Sequence, residues 1–231
     1  MAETIPEPEL IETLAAGIAH EVRNPLNSLQ INLRILQDEL ADLIPDRGAH
    51  AFALLGKIAA EVKRLDDFVS EFLRFARPPR LKLEHLPVRV LLSELAAFLA
   101  PECASKGVEL RLDLEHGPPN VHVDGLQLKQ AILNLLLNAL QATAPGGRIV
   151  LRTGGDARRS TISVVDNGEG IEAQAKERIF TVFFSTREGG TGLGLPITRR
   201  IVEEHGGSIE VVGAQGEGTT ATIVLPVRHG S

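Results

Sequence analysis

With 231 residues, 43% of them apolar, the chain has material for one large domain or two modest ones with packed cores, and two unequal domains fit best. A net charge of −6, with 24 basic residues scattered along the chain, argues against a dedicated nucleic-acid binder, because neutralising phosphates takes clustered Lys and Arg. The lone Cys103, the absence of a basic signal-peptide head and the lack of any apolar run near the roughly 18 residues of a membrane span lead to the expectation of a soluble, cytoplasmic protein without disulfides.

Residues 1–9 read as an extended segment. From Ile11 onward Leu14, Ile18, Val22, Leu26, Leu29, Leu33, Leu36, Leu40 and Leu43 recur by threes and fours, the seam of one long helix. Pro45-Asp46-Arg47-Gly48 interrupts it, and Phe52, Leu55, Ala59, Val62, Leu65, Val69, Phe72 and Ala76 repeat the pattern, so an all-α antiparallel hairpin over 10–79 is expected. Such a hairpin leaves apolar surface exposed, and pairing with a second copy as a dimeric four-helix bundle is the least costly cover, which predicts a homodimer. Within the first helix His20 points about 160° away from the seam set by Ile18 and Val22 and faces water. Glu21 beside it can accept the proton on one imidazole nitrogen and free the other to attack phosphorus. Asn24 lies one turn further on the same face, and Pro25 loosens the backbone next to the reacting group.

Pro78-Pro79 stops the second helix, and residues 80–231 form the other domain. There the pattern gives helices over about 88–106, 126–142 and 196–205, and strands over 108–114, 148–153, 161–166, 208–212 and 219–226. Helices segregated from mostly antiparallel strands indicate an α+β two-layer sandwich. The glycine-rich, weakly periodic stretch from Gly170 to Gly194 reads as a mobile lid.

Three features of this domain suggest a nucleotide. Asn134 and Asn138, four apart in an otherwise apolar helix, must bond backbone or face a polar cleft, and a neutral amide oxygen suits Mg²⁺ shared with a triphosphate. Asp166 ends a strand and is followed by Gly168 and Gly170, which permit close approach of a flat ligand while Asp166 accepts from an exocyclic amine such as that of adenine. Gly189-Gly-Thr-Gly-Leu-Gly194 then runs into a helix, offering backbone N–H groups to phosphates, though it is neither a Walker A sequence nor a dinucleotide fingerprint. Gly216-Glu-Gly-Thr219 reads equally as a hairpin turn or a phosphate contact. His50, His85, His116, His122, His205 and His229 share no ligand spacing and are expected on the surface or in loops.

The segment Gly17-Ile-Ala-His-Glu-Val-Arg-Asn-Pro-Leu26 resembles the H-box of the dimerisation and phosphotransfer domain of bacterial two-component sensor histidine kinases, and is similar to the nitrogen-regulation branch of that family. The resemblance implies His20 as phosphoacceptor, Glu21 as the base that orients it and Asn24 as the residue aligning water during receiver dephosphorylation. The motifs around Asn134/Asn138, Asp166-Asn-Gly-Glu-Gly170, Phe180-Thr-Val-Phe-Phe-Ser-Thr-Arg187, Gly189–Gly194 and Gly216–Thr219 resemble, in order, the N, G1, F, G2 and G3 boxes of the GHKL-type ATP-binding domain. That implies ATP and Mg²⁺ as cofactors, with Asn138 on the metal and Asn134 beside it. It implies Asp166, Gly168 and Gly170 at adenine, Gly190, Thr191, Gly192, Leu193 and Gly194 at the triphosphate with Thr219 nearby, and Arg187 as either a phosphate partner or a solvated lid cation. The three phenylalanines are expected to anchor the lid in apolar contacts. Gln141 stands where many relatives carry Lys.

The expected function is ATP-dependent autophosphorylation on His20, phosphotransfer to an aspartate of a response regulator receiver domain, and receiver phosphatase activity. Two alternatives stand beside it: a GHKL-type ATPase without phosphotransfer, and a non-catalytic receiver-binding scaffold. Against the first, the gyrase and mismatch-repair types carry a Glu one turn before the metal-binding Asn, where this chain has Asn134. With no sensory segment ahead of His20, the sequence reads as a piece of a longer kinase or as a kinase controlled by another protein.

Overall fold

The computed structural model describes residues 26–36, 38, 49–76, 81–114, 121–186 and 191–227. His20, Glu21, Asn24, the turn at Pro45, the boundary near Arg77, and Arg187 and Gly190 lie outside the described residues. The chain forms two compact units, Met1–Pro79 and Arg80–Ser231.

In the first unit α1 (26–36) and α2 (Ala49–Ala76) are helical. Leu26, Val62 and Val69 are buried together, with Leu33 and Phe68 packed against them. The seam is only half used, however: Leu29, Leu36 and Leu65, expected on it, are 49%, 43% and 47% exposed, as are Ile31, Ile35, Leu54 and Ile58 to similar or greater extents. Two helices can bury only the stripe they turn toward each other, so a sequence with apolar residues on a wider arc leaves the remainder at the surface.

The second unit is a two-layer α+β sandwich. Its sheet contains β2 (Glu109–Leu114), β4 (Arg148–Gly155), β5 (Arg159–Asp166), β6 (Ser208–Ala214) and β7 (Gly218–Pro226) in the order β2-β4-β5-β7-β6. All neighbours are antiparallel except β2 and β4, which run parallel and are joined through the long connection that parallel strands need. Alternation puts Ile149 and Leu151, Ile162 and Val164, and Ile223 and Leu225 on the inner face. Against them pack α3 (Val88–Ser105) with Leu92, Leu95 and Leu99, α4 (Gly125–Ala142) with Leu128, Ile132, Leu136 and Leu140, and α5 (Gly194–Glu204) with Ile197 and Ile201. The outer face is polar, with Ser163 and Thr222 hydroxyls 2.9 Å apart across β5 and β7. At the edge, β2 presents Glu109, Arg111 and Asp113, with ion pairs Arg111–Glu109 at 2.7 Å and Arg152–Asp113 at 3.1 Å.

Two short strands, β1 (Glu84–Leu86) and β3 (Val121–Val123), pair antiparallel as a separate sheet and were not expected. Three residues are too few for a period to register. His85 and His122 face each other across this pair with ring centroids 4.9 Å apart; both stand on strands, His85 exposed as expected and His122 half-buried.

Candidate functional site

The site is built along one side of α4. Asp124 caps this helix, its Oδ1 accepting the N–H groups of Leu126 and Gln127 at 3.1 Å each. Three turns on, the half-buried Asn134 donates its amide N–H to the Gly194 carbonyl at 3.2 Å and toward Thr198 Oγ1 at 3.5 Å. Thr198, fully buried, also donates to the Gly194 carbonyl at 2.8 Å. The sequence reading missed this threonine, although a hydroxyl in the second turn of a helix that opens with glycines is the signal that would have found it. Asn134 thus spends its donor on holding the start of α5, and any part it takes toward a cation must come from its carbonyl oxygen. At the C-terminal end of α4, the Ala142 carbonyl accepts Glu169 N–H at 3.1 Å. Asn138 stands in α4 one turn after Asn134, which engages the start of α5, and one turn before Ala142, which engages the Asp166–Gly170 loop.

Asp166 closes β5 and is 7% exposed. Its Oδ1 accepts from Gly168 N–H at 2.9 Å and Thr219 N–H at 3.2 Å, which fixes the carboxylate plane and brings the Gly216–Thr219 turn against it. The two glycines behind it are required by the fold itself. A Cβ on Gly168 would strike the Ala142 carbonyl, and one on Gly170, whose φ is +75°, would strike the Ala214 carbonyl. What approaches them closely is the protein's own backbone, so their requirement for glycine is met without a ligand.

The described part of the expected lid is a run of tight turns, with Ala175, Arg178, Thr181 and Phe184 each donating to the carbonyl three residues earlier. Its phenylalanines divide. Phe184 lies under the Arg178 guanidinium at 4.3 Å and Phe180 under that of Arg199 at 5.4 Å, whereas Phe183 is 57% exposed. Its backbone adopts φ +65° and donates to the Gly192 carbonyl at 3.1 Å, which ties the segment to the glycine-rich turn. Thr191 Oγ1 accepts Leu193 N–H at 3.3 Å, and Leu193 itself is fully buried in the core. The Leu193 side chain is thus withdrawn from any ligand, which leaves only its peptide group available.

One expectation is overturned outright. His205 is neither in a loop nor at the surface: it caps the C-terminus of α5 and is 5% exposed. Its Nε2 accepts Asp124 N–H at 2.9 Å while Nδ1 lies 2.7 Å from the Ile201 carbonyl. An acceptor on one side and a donor on the other fix the neutral ring with its proton on Nδ1. The second oxygen of Asp124 accepts Lys82 N–H at 2.9 Å. Burial pushes the Asp124 carboxyl up, but the N–H groups of Lys82, Gln127 and Leu126 outweigh it and hold the group below the usual carboxylate range. A carboxyl that titrates lower when folded adds stability that is complete above about pH 4 and is lost as acid protonates it in the native state. The melting temperature is expected to fall on acidification through that range, and Asp124→Asn to flatten the fall; equal slopes in both proteins would count against it.

Among the described residues no group of three or more His, Cys, Asp or Glu gathers to hold a metal, and no helix is long and apolar enough to cross a membrane. A divalent cation here would rest on amide oxygens completed by phosphate, a donor set that fits Mg²⁺ bound with a nucleotide.

Residues 10–80 match the family described as His Kinase A (phospho-acceptor) domain, and residues 123–229 match Histidine kinase-, DNA gyrase B-, and HSP90-like ATPase. Sensor histidine kinase ZraS of Escherichia coli strain K12 is 38% identical over 214 residues, 93% of this chain and 45% of that protein. Sporulation kinase D of Bacillus subtilis strain 168 is 36% identical over 220 residues, 95% of this chain and 42% of that protein. Full-length ShkA in complex with AMPPNP aligns with a TM-score of 0.79 at 27% identity, over 95% of this chain and 47% of that one. The chain spans under half the length of the curated relatives it matches.

Proposed function

This chain belongs to the sensor histidine kinase family, and from that premise we propose that it transfers the γ-phosphoryl group of ATP to His20 and then to a receiver-domain aspartate of a response regulator. The observation that carries the reading is that α4, which bears Asn138, engages the start of α5 through Asn134 and the Asp166–Gly170 loop through Ala142, in a chain that also holds the His20-Glu21 pair. In this reading Asp166 accepts from the adenine amine, the Thr191–Gly194 peptides and Gly190 meet the triphosphate, and Asn138, with the carbonyl oxygen of Asn134 beside it, holds Mg²⁺. Gly168, Gly170 and Thr219 support Asp166, and Arg187 offsets phosphate charge. Mg²⁺, when bound, supplies charge neutralisation along the triphosphate.

The nucleophilic step is balanced simply. Glu21 holds the proton of one His20 nitrogen, the lone pair of the other forms the N–P bond, and the bond from the γ-phosphorus to its bridging oxygen breaks as ADP leaves. A regulator carboxylate later takes the phosphoryl group by forming P–O as N–P breaks. The complex of ShkA with AMPPNP supports a nucleotide ligand for this chain. Water is disfavoured as the acceptor because the position that would activate it is Asn134, whose amide is engaged by Gly194. A homodimer joined through the helical unit is supported by the exposed Leu29, Ile31, Ile35, Leu54, Ile58 and Leu65.

Incubation with γ-labelled ATP and Mg²⁺ is the direct test. Protein label that is labile to acid and stable to base is expected; free phosphate alone would mean an ATPase, and neither product a scaffold. Receiver phosphatase activity belongs to the same proposal, through Asn24 aligning water. Asn24→Ala is expected to slow dephosphorylation of the phosphorylated regulator by about tenfold or more while sparing autophosphorylation. A variant that clears the regulator at the normal rate would remove Asn24 from that role.

A further inference from the structure

Helices α4 and α5 carry the opposite sides of the proposed nucleotide site, Asn134 and Asn138 on one and the start of the glycine-rich turn on the other. The two run antiparallel, because Asn134 meets Gly194 while Asp124 meets His205. Between these two meeting points lie roughly 15 Å of helix on each side, so the pair is fastened near the glycine-rich turn and again at its far end. The near fastening is loose: Asn134 reaches the Gly194 carbonyl at 3.2 Å and Thr198 at 3.5 Å. The far one is tight, with Asp124 N–H at 2.9 Å from Nε2 and the Ile201 carbonyl at 2.7 Å from Nδ1. Between the two fastenings Thr198 Oγ1 makes a long contact to the Ala131 carbonyl at 3.5 Å, and apolar packing by residues such as Ile132, Ile197 and Ile201 holds the helices together while fixing poorly how far one has slid along the other. Hydrogen bonds are directional and do fix it.

We propose that His205 is a positioning residue for the triphosphate, latching α5 to Asp124 so that the Thr191–Gly194 turn keeps its distance from Asn138. The inference rests on the nucleotide reading above. The same Asp124 takes the N–H groups of Leu126, Gln127 and Lys82, so the latch joins three segments through one carboxylate and one imidazole. Asp166 and its loop are reached from the opposite end of α4, through Ala142, and stand apart from it. A shift of α5 therefore disturbs the phosphate end of the site and leaves the adenine end in place.

The test compares Mg·AMPPNP with adenosine, by calorimetry, on the intact chain. His205→Leu keeps the bulk of the ring and removes its acceptor; it is expected to weaken Mg·AMPPNP by about tenfold and to leave adenosine within about twofold. His205→Gln, which restores an amide oxygen for Asp124 N–H, is expected to recover most of the loss. Equal weakening of both ligands, or no rescue by Gln, would reduce His205 to a core residue and overturn the proposal. Wild-type protein that binds neither ligand would overturn the nucleotide reading as well, whereas unchanged Mg·AMPPNP binding by His205→Leu overturns the latch alone. Should His205→Leu fail to fold, the wild-type chain decides the matter by reciprocity: a latch that favours the triphosphate is favoured by it. Amide exchange at Asp124 then slows with Mg·AMPPNP and not with adenosine, and exchange indifferent to Mg·AMPPNP would overturn the proposal.

Discussion

Replacing His20 with alanine is expected to abolish protein labelling from γ-labelled ATP while leaving Mg·ATP affinity unchanged. The size of the effect follows from the chemistry: a phosphoryl group that leaves ADP needs a lone pair to receive it, and alanine has none. The selectivity follows from the architecture, since every residue assigned to the nucleotide belongs to the Arg80–Ser231 unit and His20 to the other. His20→Gln is a useful companion, because it keeps polarity and approximate size and is equally unable to form the N–P bond. Mass spectrometry at neutral pH locates the adduct. Label that persists in His20→Ala, or an adduct on another residue, would move the acceptor elsewhere.

The second large effect is expected at Asp166. Its Oδ1 already accepts two backbone N–H groups, from Gly168 and Thr219. In Asp166→Asn the amide oxygen takes over both of these bonds, so the β5 end and the β7 turn stay in place and the fold is retained. The other position of the carboxylate changes from an acceptor to an NH₂ donor, which then faces the adenine amine donor to donor. Losing one charge-assisted bond and gaining an unpaired donor is expected to lower ATP affinity by about 10- to 100-fold. Direct binding measurements read it, together with a far-ultraviolet circular dichroism spectrum that stays unchanged. A variant that binds ATP as tightly as wild type would take adenine recognition away from this carboxylate.

The long elements of the second unit were legible because each supplies enough residues for its period to show. The α4 pattern of Leu128, Ile132, Leu136 and Leu140 is helical by fours, and β5 alternates Ser160, Ile162, Val164 and Asp166 inward. The three-residue strands β1 and β3 have no period to read, and pairing between segments so far apart in sequence is a tertiary fact. His205 illustrates a signal that was present and overlooked: it follows Ile197 and Ile201 at intervals of four and so continues the buried stripe of α5. Gly168 and Gly170 illustrate one that was not. A glycine tells that something comes near, and whether that something is a ligand or the Ala142 and Ala214 carbonyls is decided by parts of the chain far away in sequence. The same holds for Phe183, whose exposed ring and left-handed backbone run against the ordinary expectation for an aromatic residue.

The charges along β2 bear on how copies of this chain meet. Glu109, Arg111 and Asp113 follow closely on one another along an open sheet margin, and Arg152 leans across to Asp113 from the next strand. A foreign strand seeking to extend the sheet there would have to strip solvent from fixed charges of both signs before making its first backbone bond. Concentrated protein is thereby discouraged from growing ribbons at this border.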